Sequence, residues 1–573
     1  MATRRSPQER GSDRPEAVLP PRELILIAEP AVRMRSAGAS VEAAAGTPVD
    51  ALNRLLAEES ATIHPVFGVN ERRIEAARSA VPGIAEVLAP LSVFYSVRAE
   101  DGKLDELAVK LARMPGVMAA YVKPAAEPPL APPAEGGLES VIPAPLADAP
   151  PVTPDFTARQ GYLRAATQGV DADWAMMQSG GQGDGSRIID IEGAWNFSHE
   201  DLLQNQGGVI GGTPTTDLGW RNHGTAVVGE FGGDANGLGV AGIAPAANTR
   251  AISIFGGLGS AAAITQAADA LSPGDIILIE LHRAGPRFNF QPRLDQRGYI
   301  ALEWWPDDYE AIRYAVAKGV IVVEAAGNGA ENLDDALYDT AAAGFPASWK
   351  NPFNTANPSS GAVLVGAGAP PPGTHGTDHG PDRSRLDFSN YGARLDAQGW
   401  GREVTTTGYG NLQGGAENIY YTDTFSGTSS ASPIVVGALA SMQGILRAAG
   451  KPLLTPATSQ SVLRQTGSPQ QDAPGRPATQ RIGNRPDIRA AISHLTASGV
   501  QSGIASQYWN ELVAYPPGSA GSLWLYVDSN WRKRDSASPS DRLMTLRAFL
   551  KAGQRVRVWY QGTDIVGFVV EGS

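Results

Sequence analysis

The chain has 573 residues and not one cysteine. That absence removes disulfides, thiolate catalysis and cysteine-based zinc sites together. It fits a reducing compartment, but secreted bacterial enzymes also do without cysteine, so it does not locate the protein. Basic residues are outnumbered, 47 Lys and Arg against 59 Asp and Glu, for a net charge of −12. With no basic stripe, nucleic acid is not expected as a partner. Long apolar runs are missing too. LILIA and PIVVGALA are far too short to span a bilayer, so no membrane segment is expected. The first residues, MATRRSPQERGSDRPEAVLPP, carry charge but no apolar stretch of a secretory signal. The cytoplasm is the default expectation, with secretion by another route as the alternative.

What is present suits a folded protein of about two to four domains, with 42% apolar and 18% charged residues. Residues 1–22 read as a disordered N-terminus. Residues 23–124 follow the order βαββαβ: RELILIAEP, the amphipathic VDALNRLLAEES, ATIHPVFG, LSVFYSVRAE, the helical KLDELAVKLARMPG, and VMAAYVKP. That order predicts a ferredoxin-like sandwich, with two helices on one face of a sheet. Residues 125–154 are a Pro/Ala-rich linker. From 155 to 500, nearly uninterrupted apolar strands (SRIIDIE, TRAISIF, DIILIEL, VIVVEAAGN, AVLVGAG) alternate with helical patterns such as SAAAITQAADAL. The expected fold there is α/β, a doubly wound, mostly parallel sheet covered on both faces. Residues 504–573 read as a small α+β module with strands SLWLYVD, QRVRVWYQG and DIVGFVVEG and a helix DRLMTLRAFLKAG. Its Trp509, Trp524, Trp531, Trp559 and Tyr560 are expected as core.

Polar residues stand at strand ends and helix starts, where such a fold builds its sites. Asp190 ends the strand SRIID. His223 opens NHGTAVVGEF. Asn328 ends VIVVEAAGN. Ser429 lies in GTSSASP, where small hydroxyl residues precede an apolar helix. A helix start offers free N–H groups and positive partial charge where an anion can form. Taken singly, each residue has a structural explanation: a sheet-end cap, a core histidine, a turn, a helix cap. Pro433 is expected in the first turn of the helix, where its missing N–H does no harm.

Together and in this order, HGTAVVG at His223 to Gly229, AAGNG at Ala325 to Gly329 and GTSSASP at Gly427 to Pro433 resemble the subtilisin-like serine proteases, the subtilases. SNYG at Ser389 to Gly392 and GNRPDIRAAI add to the likeness, which covers about Asp155 to Ser498. The resemblance implies a serine endopeptidase with Ser429 as nucleophile, His223 as general base, Asp190 as the acid orienting the imidazole, and Asn328 in an oxyanion hole. It also implies a self-processing zymogen whose N-terminal sandwich is a pro-domain. That pro-domain would inhibit the enzyme by laying its tail, near YVKPAAEPP, in the cleft, with cleavage between Lys123 and Gln160. Glu192, two positions past Asp190, is read as a surface or substrate-facing charge, because Gly193 suggests that the chain turns there. The rival, a binding protein on a silent protease scaffold, is disfavoured because all the triad residue types are kept.

The resemblance further implies a substrate-pairing strand edge at Glu280, Leu281 and His282, with Gly327 near the cleft. The usual small residues are replaced there by charge, and Glu280 is a candidate partner for a basic substrate side chain. HEDL, holding Asp201, and DANGLG, holding Asn236, resemble calcium-ligating segments of the family. A structural calcium on Asp201 and Asn236 and a loop held only by hydrogen bonds are the two alternatives. The chemistry itself requires no cofactor. His375 and His379 in THGTDHGPD read as a flexible surface insertion rather than a metal pair. The expected partner is a protein or peptide substrate.

Overall fold

After Glu23, the strand ELILIA at Glu23–Ala28 has no polar position, and the computed structural model gives the reason. Residues 18–37, 39–44, 49–68, 90–129 and 145–497 are described. In the tail, residues 501–505, 507–510, 521–527, 530–536, 555–561 and 564–571 are described. Glu23–Ala28 is an inner strand of a four-stranded antiparallel sheet with the order Thr62–Pro65, Phe94–Arg98, Glu23–Ala28, Val117–Lys123. Leu24 and Leu26 face the sheet's own helices, Asp50–Glu58 and Leu104–Leu111. Ile25 and Ile27 point the other way and share a buried cluster with Trp304 and Trp305 of the larger domain. Side chains alternate across a strand, so a strand buried on both faces has no place for a polar one. The chain is tied down well before residue 23: the Val18 carbonyl accepts from Trp220 Nε1 at 2.8 Å.

The larger domain is built on seven parallel strands. Their order is Ala397–Trp400, Val363–Gly368, Ile321–Ala325, Ile276–Ile279, Arg187–Glu192, Asn248–Ser253, Gln206–Gly211. Alternate residues feed two cores. Ile188, Leu278 and Val323 meet the helices Leu218–Gly232 and Thr428–Ala448 on one face. Ile189, Ile277 and Val322 meet Ser260–Ala270 and Pro306–Ala317 on the other. The sheet is doubly wound, as its apolar strands imply. The chain adds strands on one side of Arg187–Glu192 and then crosses to the other. The carboxyl end of that strand is therefore the switch point, where such sheets open a crevice.

Thr428–Ala448 is long and apolar enough to cross a membrane by length and composition, and it is buried from Thr428 to Leu446 as the central helix. Its first residue is Thr428, so Pro433 lies inside the helix rather than in its first turn. The expectation for Pro433 is corrected: the helix starts too early for it.

The tail forms a six-stranded sheet around Leu525, Val527, Val556, Val558, Tyr560 and Ile565. The helix expected at DRLMTLRAFLKAG lies outside the described residues. His375 and His379 sit in an ordered loop. His379 Nε2 is 2.8 Å from Glu403 Oε1, and His375 Nδ1 is 2.9 Å from the Asp423 carbonyl.

Candidate active site

Glu192 is the last residue of its strand and His223 lies in the second turn of the helix Leu218–Gly232. His223 Nδ1 is 2.8 Å from Glu192 Oε2, and both side chains are fully buried. Asp190 Oδ2 instead accepts from Trp195 Nε1 at 2.7 Å. The imidazole partner expected at Asp190 is thus corrected to Glu192. The strand does not turn before Glu192, so Asp190 and Glu192 share a face, and the later acid is the one that reaches the crevice.

Glycines let the helix come this close. A Cβ on Gly224 would lie 2.3 Å from the Ala194 carbonyl, and one on Gly229 would lie 2.2 Å from Thr407 Oγ1. The two glycines of HGTAVVG are therefore packing requirements. Burial holds His223 down to about 3 and pushes Glu192 well above the usual carboxylate range. The imidazole is neutral, with Nε2 lacking any hydrogen-bond partner among the described residues.

Ser429 is the second residue of its helix, which opens on Gly427 at φ 122°. Its Oγ donates to the Pro129 carbonyl oxygen at 2.9 Å. Asn328 follows the strand Ile321–Ala325. Its Oδ1 accepts from the Thr428 N–H at 2.9 Å and from Thr428 Oγ1 at 3.0 Å. That leaves the buried Asn328 Nδ2 with no acceptor among the described residues. Asn390 steadies this corner. It donates from Nδ2 to the carbonyls of Ala326 and Tyr299, and its N–H donates to the Gly327 carbonyl. SNYG was noticed in the sequence, but nothing there disclosed this clamp.

Pro124 to Pro129 occupy the crevice. Glu127 and His282 exchange both backbone hydrogen bonds at 3.0 Å as an antiparallel bridge. Gln296 Nε2 donates to the Pro128 carbonyl at 3.0 Å, and Tyr299 OH donates to Glu127 Oε1 at 2.6 Å. Gln296 and Tyr299 were not found by sequence reasoning, since they stand in a stretch with no motif. His282 meets the chain through its backbone. Its ring is buried and held down to about 3 by burial, and Nδ1 accepts from the Asn328 N–H. Leu281 is buried in the core. Glu280 is also fully buried. It accepts from Ser432 Oγ, lies within reach of the Ser429 side chain, and is pushed well up by burial. It lies buried under the Ser429 helix.

Asp201 and Asn236 do come together, as partners of each other. Asn236 Nδ2 donates to Asp201 Oδ1 at 2.9 Å, and the Val240 N–H donates to Oδ2 at 2.7 Å. Burial pushes the Asp201 carboxyl up to about 8. Both Asp201 oxygens thus face N–H donors in this arrangement. No cluster of three or more His, Asp or Glu side chains suited to a metal occurs among the described residues.

The chain is similar to known proteins. The subtilase family model matches residues 196–484, just over half of the chain. That range holds His223, Asn328 and Ser429 and begins after Glu192. The chain is 29% identical over 247 residues to subtilisin Savinase of Lederbergia lenta, covering 42% of this chain and 71% of that protein. It is also 29% identical over 247 residues to an alkaline protease of Shouchella clausii, covering 42% of this chain and 50% of that protein. Among solved structures, the epidermin leader peptide processing serine protease of Staphylococcus aureus aligns with a TM-score of 0.46 at 17% identity. The alignment covers 82% of this chain and 98% of that one.

Proposed function

The chain belongs to the subtilase family of serine-type endopeptidases, and on that premise we propose that it cleaves peptide bonds with Ser429, His223 and Glu192 and is made as a self-processing zymogen. Ser429 Oγ attacks the carbonyl carbon while His223 Nε2 takes its proton. Glu192 holds the Nδ1–H tautomer and balances the imidazolium that forms. Asn328 Nδ2 donates to the tetrahedral oxyanion, together with the Ser429 N–H. The imidazolium then protonates the leaving amine, and water repeats the sequence on the acyl-enzyme.

The N-terminal sandwich, ferredoxin-like in its strand order, acts as the pro-domain. Its tail is the first substrate and then an inhibitor. One observation carries this reading: the Pro129 carbonyl at Ser429 Oγ, on a segment that pairs with His282 as a peptide substrate would. The scissile bond is Pro129–Leu130.

The test expresses the parent and Ser429→Ala chains side by side. The parent is expected to shorten to a species beginning at Leu130 and to react with a fluorophosphonate probe. The variant stays full-length and unlabelled. Identical shortening of both chains would defeat the self-processing reading, and an unreactive parent would favour a silent scaffold.

A further inference from the structure

Four carboxyl groups are fully buried: Asp190 and Glu192 on one strand, Glu280 just past the neighbouring strand, and Glu230 on the helix that carries His223. Among the described residues, none of them is in an ion pair with lysine or arginine. Four unpaired carboxylates cannot share such a site, because burying an isolated charge costs far more than taking up a proton. Most of the four therefore carry protons, and the hydrogen-bond pattern indicates where one of them sits.

Glu192 uses Oε2 for His223, and Asp190 uses Oδ2 for Trp195. Their other oxygens, Glu192 Oε1 and Asp190 Oδ1, find no N–H or O–H donor among the described residues. The two side chains leave the same face of one strand, two residues apart, each with one buried oxygen unsatisfied. Two carboxyl oxygens facing one another without a donor repel unless a proton lies between them. Trp195 can donate to Asp190 in either state. Glu192, next to the imidazole, is the better place for the negative charge.

We propose that Asp190 is a protonated carboxylic acid that donates from Oδ1 to Glu192 Oε1, making it the positioning residue of the Glu192–His223 pair. Asp190 and Glu192 then carry one negative charge between them. The shared proton fixes the Glu192 rotamer, so that Oε2 stays on Nδ1. It also makes Glu192 a weaker base than a free carboxylate, which lets the imidazole stay unprotonated further into acid. The groups facing this pair are Glu280 past the neighbouring strand, His223 on the helix above and the Tyr409 hydroxyl; Glu230 lies against Glu280, and His282 against His223. The proposal rests on the catalytic reading of His223.

Two measurements test it. The first is the pH profile of kcat/KM of the matured enzyme. In Asp190→Asn the amide supplies the same donor with no charge. The acid limb is expected within about 0.3 unit of the parent and kcat within about threefold. A downward shift of about one unit or more would mean that an ionised Asp190 had been lost, and would overturn the proposal. In Asp190→Leu the donor is gone. The acid limb should rise by about one unit and kcat fall roughly tenfold with KM unchanged. A folded Asp190→Leu enzyme with the parent's profile and kcat would overturn the positioning role.

The second measurement needs no activity. In the full-length Ser429→Ala chain at neutral pH, infrared difference spectra against Ser429→Ala/Asp190→Asn should show the loss of one carboxylic-acid C=O band. No loss overturns the proposal even if Asp190→Leu does not fold. Hydrolysis that persists in Ser429→Ala would defeat the catalytic reading and leave this spectral outcome untouched.

Discussion

Glu192 Oε2 lies 2.8 Å from His223 Nδ1, while Asp190, two residues earlier on the same strand, accepts from Trp195. The acid of the pair is therefore one methylene longer than an aspartate. Glu192→Gln keeps the shape but offers the imidazole the wrong tautomer. Its kcat should fall by about 10³–10⁴-fold with KM little changed. Steady-state kinetics on a peptide substrate checks this.

Tyr299 OH donates to Glu127 Oε1, the third residue upstream of the proposed scissile bond. Tyr299→Phe removes that donor, and with it the acceptor of the Arg293 N–H at 3.1 Å. Peptides with Glu at that position should lose roughly tenfold in kcat/KM, and peptides with Ala there should change little. Equal losses for both would place Tyr299 outside specificity.

Lys123 is fully buried between the two domains, with Nζ 2.5 Å from Asp307 and 3.1 Å from Asp308. Arg283 completes the set, pairing with Glu23 at 2.6 Å and donating to the Pro124 carbonyl. Removing one member strands the others in a dry interface. Lys123→Met in the Ser429→Ala chain should cost about 3–5 kcal/mol. Urea unfolding of the two full-length chains measures it.

Glu403 sits between two histidines. Burial pushes its carboxyl up, but the hydrogen bond from His379 and the nearby His375, whose Nδ1 lies 3.8 Å away, outweigh this and hold it down to about 2. Burial pulls His375 down, and its contacts with Glu403 and with the carbonyls of Arg159 and Asp423 raise it above 6.5. A lowered carboxyl stabilises the fold above its unfolded value of 4.5 and loses that contribution as pH falls toward 2. A raised imidazole stabilises it below 6.5 and loses that contribution as pH rises through the folded value. Both act together between those two values. Glu403→Gln should therefore lower Tm more at about pH 5.5 than at about pH 9. A pH-independent deficit would contradict it.

Asp201 and Asn236 satisfy each other, so a chelator should leave Tm within about 1 °C of its value without one. A clear drop, restored by calcium, would show that a cation rearranges the pair.

Much of this was legible beforehand. The continuous apolar runs of SRIIDIE and DIILIEL could only be strands buried on both faces, and that leads to a doubly wound sheet. His223, Asn328 and Ser429 were found because their motifs bundle the functional side chain with the small residues its packing needs. The acid was misassigned because IIDIE offers two carboxylates on one face. The nearer match by residue type was preferred to the one at the strand's end, although sites gather outside the carboxyl ends. Glu280 lies inward because Ser432 draws it there, and residue type says nothing of direction. Gln296 and Tyr299 act through contacts with a segment some 170 residues away, which no local pattern encodes.

Consecutive prolines at 128 and 129 offer the crevice carbonyls but no amide hydrogens. The edge strand can therefore grip this stretch only through Glu127, and stiffness must substitute for hydrogen bonding. A backbone already restrained near its bound shape surrenders little freedom on docking. Flexible peptides of the same length and polarity start at a disadvantage, whatever their side chains.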